Sequence, residues 1–359
     1  MNKNNQNNLC EASEASVVSE ANELPLTHEE LMKNFWTLYT TWDNSMRSMG
    51  NQCPRKLYWW LRGYSWKTSA KPIYFLFGSA WHEIKQEYYL SFKTQPELNH
   101  AARSINAFNA GKKYWDENEN IQDIEAKPNP VDNIHNLNKL WTTFINYYGE
   151  EPLAFEIIAK PELGWLWSIS QDTTETPLFL GGSIDAFIKH KTFGTIVLEE
   201  KSTSAYLTDK YMQQWEYATQ LTGYAWMLNQ LEHKPIILLQ AAHKRVLGPT
   251  AKTPQFATCL VEKTPEQLEE FENEWRNFFD SINLILKNNF WPASGKTDPR
   301  QCVGGFGFST CPYRGLCSNS ARLQVDPLNF PGIGVREKWT PWYRLGEQIG
   351  NTKEKAKGE

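Results

Sequence analysis

The 359-residue chain predicts a mixed α/β fold. Apolar residues recur three and four positions apart through Leu137, Leu140, Trp141, Phe144, Ile145 and Tyr148, which is helical spacing. From Pro152 the period shortens to that of strands, over residues 153–158 and 165–169. Residues 181–201, GGSIDAFIKHKTFGTIVLEEK, read as two strands joined by a tight turn at Gly194.

In chain order, residues 1–26 are rich in Asn, Ser, Glu and Ala and read as a disordered leader, with Cys10 inside it. Thr27-His28-Glu29-Glu30 has the capping-box pattern, ahead of a helix carrying Leu31, Phe35, Trp36 and Leu38. A second helix opens directly after Cys53, because Pro54 suits a first helical turn. Gly78 to His82 lead a third, continuing through Ile84 and Tyr88. Residues 101–148 read as two helices around a polar loop at 127–132. Glu156 stands in a strand-like run, costly if buried without a partner, either as a further site carboxylate or as a residue on the wet side of an edge strand. After the hairpin, residues 209–231 read as one long helix. Gln213, Glu216, Gln220 and Tyr224 share one of its faces, and Trp215, Leu221, Ala225 and Leu228 form much of the apolar one. Strands at 235–245 and 256–262 follow, the second holding Cys259 as a buried small hydrophobe, and then a helix over 265–288.

The chemistry concentrates at the hairpin. Strand side chains alternate, so Glu199 and Lys201 point one way and Glu200 the other. If the strands pair, Asp185 comes alongside them. Two carboxylates and an ammonium on one surface suit Mg²⁺, which is usually held by one or two carboxylates plus substrate phosphate. Such an ion activates water and offsets charge on a phosphoryl oxygen, while a lysine stabilises the developing negative charge. An exposed hairpin with a cross-strand Asp–Lys pair fits the same residues.

A second concentration is QCVGGFGFSTCPYRGLC, which holds Cys302, Cys311 and Cys317. Cys53 is the fourth candidate, since Cys10 falls in the leader and Cys259 in a strand. Four thiolates hold either zinc or an iron–sulfur cluster, and spacing alone does not choose between them. Either would clamp residue 53 to residue 317.

The formal charge of −4 advertises no nucleic-acid partner in bulk, so any basic surface must be local. The longest apolar run, 236–239, is too short for a bilayer. No signal-peptide pattern stands at the N-terminus, which leads us to expect an intracellular, cytoplasmic protein. Most of the 16 tryptophans suit a core, with some available to stack on unpaired bases.

The series Cys53-Pro54, Gly78 to His82, Glu156, Gly182 to Asp185, Glu199 to Lys201, Gln220 to Tyr224, and Cys302, Cys311, Cys317 resembles the RecB-like branch of the PD-(D/E)XK nuclease superfamily. Its iron–sulfur members, the CRISPR-associated RecB-type exonucleases and the AddB nuclease domain, are the nearest look-alikes. The resemblance spans residues 28–320 and lies in the order of the motifs, each weak alone. It implies a restriction-endonuclease-like core, a mixed β-sheet flanked by helices, over residues 27–325. Residues 326–359 would then form a Trp-containing, partly disordered extension. It implies that His82, Asp185 and Glu199 bind Mg²⁺ or Mn²⁺, helped by the Glu200 carbonyl and more weakly by Glu156. Lys201 would be the catalytic lysine, and Gln220 and Tyr224 the helix motif that contacts DNA or supports the site. Cys53, Cys302, Cys311 and Cys317 would ligate a four-iron, four-sulfur cluster, with zinc as the fallback. The eight-residue gap between Cys302 and Cys311 is wider than in that branch. The implied activity is hydrolysis of single-stranded or end-containing DNA, exonucleolytic rather than endonucleolytic, in a bacterial or phage-infected cell. No helicase motor is visible, so a separate helicase, recombinase or integrase is the expected partner. A non-catalytic DNA-binding partner of such a machine is the alternative.

Overall fold

The computed structural model describes residues 25–66, 73–119, 131–148, 155–158, 163–169, 178–294, 300–303, 310–318, 327–330 and 332–336. The leader up to residue 24, and Trp339 and Trp342, lie outside them.

Local capping sets the first elements. The Thr27 side chain accepts from the Glu30 amide while the Glu30 carboxylate accepts from the Thr27 amide, so the capping box opens α1 (His28–Lys33). The helix expected to continue breaks at Asn34, and Phe35 and Trp36 start a separate turn, α2 (Phe35–Leu38). Beyond β1 (Thr41–Trp42), α3 (Asn44–Gln52) is capped by Asp43 and stops at Cys53. Cys53 is in turn the N-cap of α4 (Pro54–Leu61), with Pro54 in the first turn as expected. β2 (Tyr64–Trp66) follows.

Three helices then form one layer: α5 (Ile73–Thr94), α6 (His100–Asn118) and α7 (Ile134–Tyr148). Gly111 lets α6 close on α5, since a Cβ there would sit 2.7 Å from the Ala80 carbonyl oxygen and collide with Ile84. The apolar stripe of α7 is core: Trp141 stacks on Phe144 and meets Trp81 of α5 edge-on.

The strands β3 (Phe155–Ile157), β4 (Leu163–Ile169), β5 (Leu178–Ile184), β6 (Ala186–His190) and β7 (Gly194–Thr203) run in succession. β7 then crosses through α8 (Asp209–Gln213), a short 3₁₀ turn (Gln214–Tyr217) and α9 (Thr219–Gln230) to β8 (Ile236–His243). β9 (Phe256–Glu262) and α10 (Pro265–Asn288) follow, then the short α11 (Arg300–Val303) and α12 (Arg314–Ser318), and finally β10 (Ile333–Val335). Five strands pair in the order β3-β6-β7-β8-β9, antiparallel except for the parallel β7–β8 pair. A parallel pair needs a crossover connection, and the α8–α9 segment supplies it. A second sheet has the order β1-β5-β4, and β10 pairs with β2, so residues 333–335 of the C-terminal extension are tied back to the body. Ile188, Ile196 and Leu198 join the core under α5–α7, while Phe187, Val197 and Ile237 join the core under α9 and α10. The fold is therefore mixed α/β, with mixed sheets between helices. Among the described residues no helix is long and apolar enough to cross a membrane.

Three further expectations change. Asp185 is not inside a strand but at a bend between β5 and β6, where the chain leaves one sheet for the other. The 209–231 helix is broken, because Ala218 is extended (φ −72°, ψ 116°), and Gln213 and Glu216 lie on an exposed segment apart from Gln220 and Tyr224. Lys263 donates to the Glu216 carbonyl that the break leaves unpaired within the helix. Cys259 is half-buried on β9 rather than buried.

Candidate active site and cysteine cavity

The hairpin register decides what Asp185 meets. Ala186 pairs with Leu198, and the turn is closed by Gly194 at φ +77°, a conformation that favours glycine. Asp185, one residue before that pair, receives the Glu200 amide on Oδ2 at 2.7 Å. His82 Nδ1 lies 3.3 Å from its other oxygen. Side-chain alternation on β7 then places Glu199 and Lys201 together: the Lys201 ammonium bonds Glu199 Oε1. From Lys201 a chain of contacts runs to Gln220 Oε1 (3.4 Å), from Gln220 Nε2 to the Tyr224 hydroxyl (2.7 Å), and from that hydroxyl to the Ser183 carbonyl (2.8 Å). Gln220 and Tyr224, one turn apart on α9, thus brace the lysine against β5.

Electrostatics separates the two carboxylates. Burial pushes Asp185 upward, but His82, Lys201 and the Glu200 amide outweigh it and hold its carboxyl below the usual range. Glu199 is wholly buried. Burial first, and the Asp185 charge second, push it up to about 8 against the pull of Lys201. Burial favours the neutral amine at Lys201, yet Glu199 and Asp185 prevail and hold its pKa above the ordinary value. Glu199 Oε2 is buried and has no hydrogen-bond partner among the described residues.

As they stand, no three His, Cys, Asp or Glu side chains among the described residues are gathered closely enough to hold a metal ion. The donor set nevertheless fits a hard cation. A partnerless carboxylate oxygen lies beside a second carboxylate, an arrangement that a divalent ion with oxygen preference satisfies.

Glu156 is not brought to this group. Its exposed side chain pairs across β3–β6 with Lys189, four residues along the strand from Asp185, or about 13 Å. It occupies the wet side of an edge strand. Glu200 sends its side chain to the other face, where Lys85 Nζ lies 2.9 Å and the Tyr89 hydroxyl 2.9 Å from Oε1. A crevice of about 10 Å³, room for roughly one water, joins that pair to His82 and Asp185. Sequence reasoning did not single out Lys85. Its signal was a lysine three residues after His82 in an otherwise apolar stripe. Trp215, read as core, has its ring 5.4 Å from Lys201 Nζ.

Cys53, Cys302, Cys311 and Cys317 line one cavity of about 250 Å³. The Cys311 amide donates to the Cys302 carbonyl at 3.1 Å, which joins the two ends of the Gly-rich segment. Burial raises the Cys311 thiol, with Cys302 and Cys53 adding to the shift. Burial likewise pushes Cys317 up to about 11, reinforced by Cys311 and Cys53. All four cysteines therefore border a single space.

No known protein family matches this sequence, and no curated protein matches it. Among solved structures, it aligns with SSO0001 at 12% identity and TM-score 0.30, covering 70% of this chain and 82% of that one. It aligns with a "Putative exonuclease" from Eubacterium rectale at 10% identity and TM-score 0.37, covering 77% and 92%. A third is LHK-Exo in complex with dAMP, at 9% identity and TM-score 0.24, covering 60% and 97%. Likenesses this loose say nothing about chemistry.

Proposed function

We propose that the chain is a divalent-cation-dependent DNA nuclease that hydrolyses phosphodiester bonds, exonucleolytic rather than endonucleolytic. The observation that carries the reading is the buried, partnerless Glu199 Oε2 between Asp185 and Lys201. Asp185, Glu199 and His82 would hold Mg²⁺ or Mn²⁺, with the Glu200 carbonyl as a further oxygen donor. The cation would supply Lewis-acid activation of water and of the scissile phosphate. Because its neighbours keep Lys201 protonated, the lysine serves as a fixed positive charge, donating a proton in a hydrogen bond to a phosphoryl oxygen rather than acting as a base. Gln220 aims that ammonium, and Tyr224 holds Gln220. DNA as substrate, and attack from an end, are supported by the order of motifs shared with RecB-like nucleases.

The four thiols are assigned to a structural iron–sulfur cluster. Thiolates on one zinc ion stand about 2.3 Å from it, and the cavity of about 250 Å³ that all four cysteines border, along with residues such as Lys56 and Arg300, has room for a larger body. Cys53 caps α4, so the cluster would anchor that helix to the C-terminal segment.

The test is degradation of labelled single-stranded DNA with Mn²⁺. The native protein should degrade it, and Lys201→Ala should slow it about a hundred- to a thousandfold. Equal rates would refute the reading, and so would binding of DNA with no hydrolysis by the native chain. For the thiols, anaerobic protein should show the visible absorbance of an iron–sulfur cluster, and a colourless zinc-loaded protein would refute that assignment.

A further inference from the structure

Apart from Trp66, the tryptophans of the described residues are buried or half-buried, whereas three other aromatic side chains stand outside near β7. Tyr206 is 61% exposed, Tyr74 52% and Phe75 57%. Singly, exposed aromatics need no explanation. All three border one strand end, with Tyr206 on the face of the sheet that carries Lys201 and the Tyr74–Phe75 pair on the α5 side. β7 and β8 are parallel, and their carboxyl ends meet at Thr203 and His243. Ligands of open α/β sheets bind outside such ends.

Tyr206 lies five residues past Lys201 and stacks flat on His243, with ring centroids 5.2 Å apart and planes 13° apart. His243 covers one face of that ring, and the exposure of Tyr206 is on the far side. Next to His243, Lys244 donates to the Tyr74 carbonyl at 3.1 Å, which fixes the start of α5 against the same strand end. There Tyr74 and Phe75 lie ring to ring, 4.5 Å between centroids. A Cβ on Gly78 would reach 3.8 Å from Ser202 Oγ, so α5 runs close over β7 beyond Lys201. Tyr74 precedes His82 by eight residues, or about 12 Å of helix. The exposed Lys210 and Arg245, on segments flanking these rings, supply positive charge that the overall −4 conceals.

We propose that Tyr206 and the Tyr74–Phe75 pair are stacking platforms for unpaired bases, so that the strand end beside Lys201 takes single-stranded DNA. The inference rests on the nuclease reading for its choice of DNA. Flat rings with one free face accept any base, and nearby cations accept phosphates, which together describe sequence-tolerant single-strand binding. In a duplex the paired bases offer no face to these rings.

The experiment is fluorescence anisotropy on the full chain in EDTA, so that binding is read without hydrolysis. The probes are labelled oligo(dT) of about 15 nucleotides, an abasic oligomer of equal length, and a blunt duplex. Oligo(dT) should bind tightest. Tyr206→Ala and Phe75→Ala should each weaken it about 5- to 100-fold while leaving the abasic oligomer unchanged, and Tyr206→Trp should retain it. Unchanged melting would show that the alanine variants fold. Equal affinity for oligo(dT) and the abasic oligomer, or alanine variants that bind like the native protein, would overturn the proposal. A stronger hold on duplex, or on oligo(U) than on oligo(dT), would overturn it too. None of these outcomes touches the Lys201 hydrolysis test, so the two readings fail separately.

Discussion

Glu199 and Glu200 are adjacent on β7, both buried, and they leave the strand in opposite directions. Glu200 enters a polar crevice: the Lys85 ammonium and the Tyr89 hydroxyl both bond its Oε1, and the Lys85 ammonium lies 3.5 Å from the centre of the Phe144 ring. Glu199 shares Lys201 through one oxygen and leaves the other without a partner. A buried carboxylate with matched donors is structural. A buried carboxylate with an unmatched oxygen next to a second carboxylate carries a standing electrostatic cost, which a bound cation would relieve. The same strand thus anchors α5 with one face and turns the Glu199–Lys201 pair out on the other. Glu200 links the two, since its backbone amide holds Asp185.

The sharpest way to break this contrast is Glu200→Ala, which strands the Lys85 ammonium in the core. Burial already pulls Lys85 down to about 8 against Glu200, so the loss should cost about 3–5 kcal/mol in denaturant unfolding. A loss below about 1 kcal/mol would mean that the pair does not lock α5. The mirror change, Glu199→Gln, should cut the hydrolysis rate about a hundred- to a thousandfold with no loss of stability. A folded, fully active variant would remove Glu199 from the chemistry.

A pH series sharpens the same point. The folded Glu199 keeps its proton up to about 8, while the unfolded chain releases it near the ordinary value of 4.5. Between those values the folded state binds more protons, so metal-free stability should fall as pH rises. The slope relative to Glu199→Gln should reach up to about 1.4 kcal/mol per pH unit. Mn²⁺ must displace that proton, so its stabilising effect should be larger at pH 8 than at pH 6. A flat difference between native protein and variant would contradict the raised carboxyl. The smallest effect should come from Glu156→Gln, within about 0.5 kcal/mol in stability and unchanged in rate, because that side chain is exposed on an edge strand.

Features set by neighbours in sequence were legible. The Thr27 capping box, the helix opening at Cys53-Pro54, the turn at Gly194 and the opposed faces of Glu199 and Glu200 follow from propensity and a two-residue period. The one-turn spacing of Gln220 and Tyr224 was legible too, and the structure brings Gln220 to Lys201 with Tyr224 behind it. What failed depended on distant partners. The helix break at Ala218 is matched by a lysine 45 residues on, Lys263. The bend at Asp185 arises where the chain passes from one sheet to the other, and the pairing of Lys85 with Glu200 spans 115 positions.

By itself, then, the sequence determined which residues carry charge, which faces they take on their own elements, and where helices begin. Tertiary structure decided which of those charges is compensated. A carboxylate's state depends on burial and on donors brought from α5 and α9, and no local period encodes that meeting. For this reason two neighbouring glutamates, alike in the chain, became one that an ammonium and a hydroxyl hold and one that keeps an unmatched oxygen.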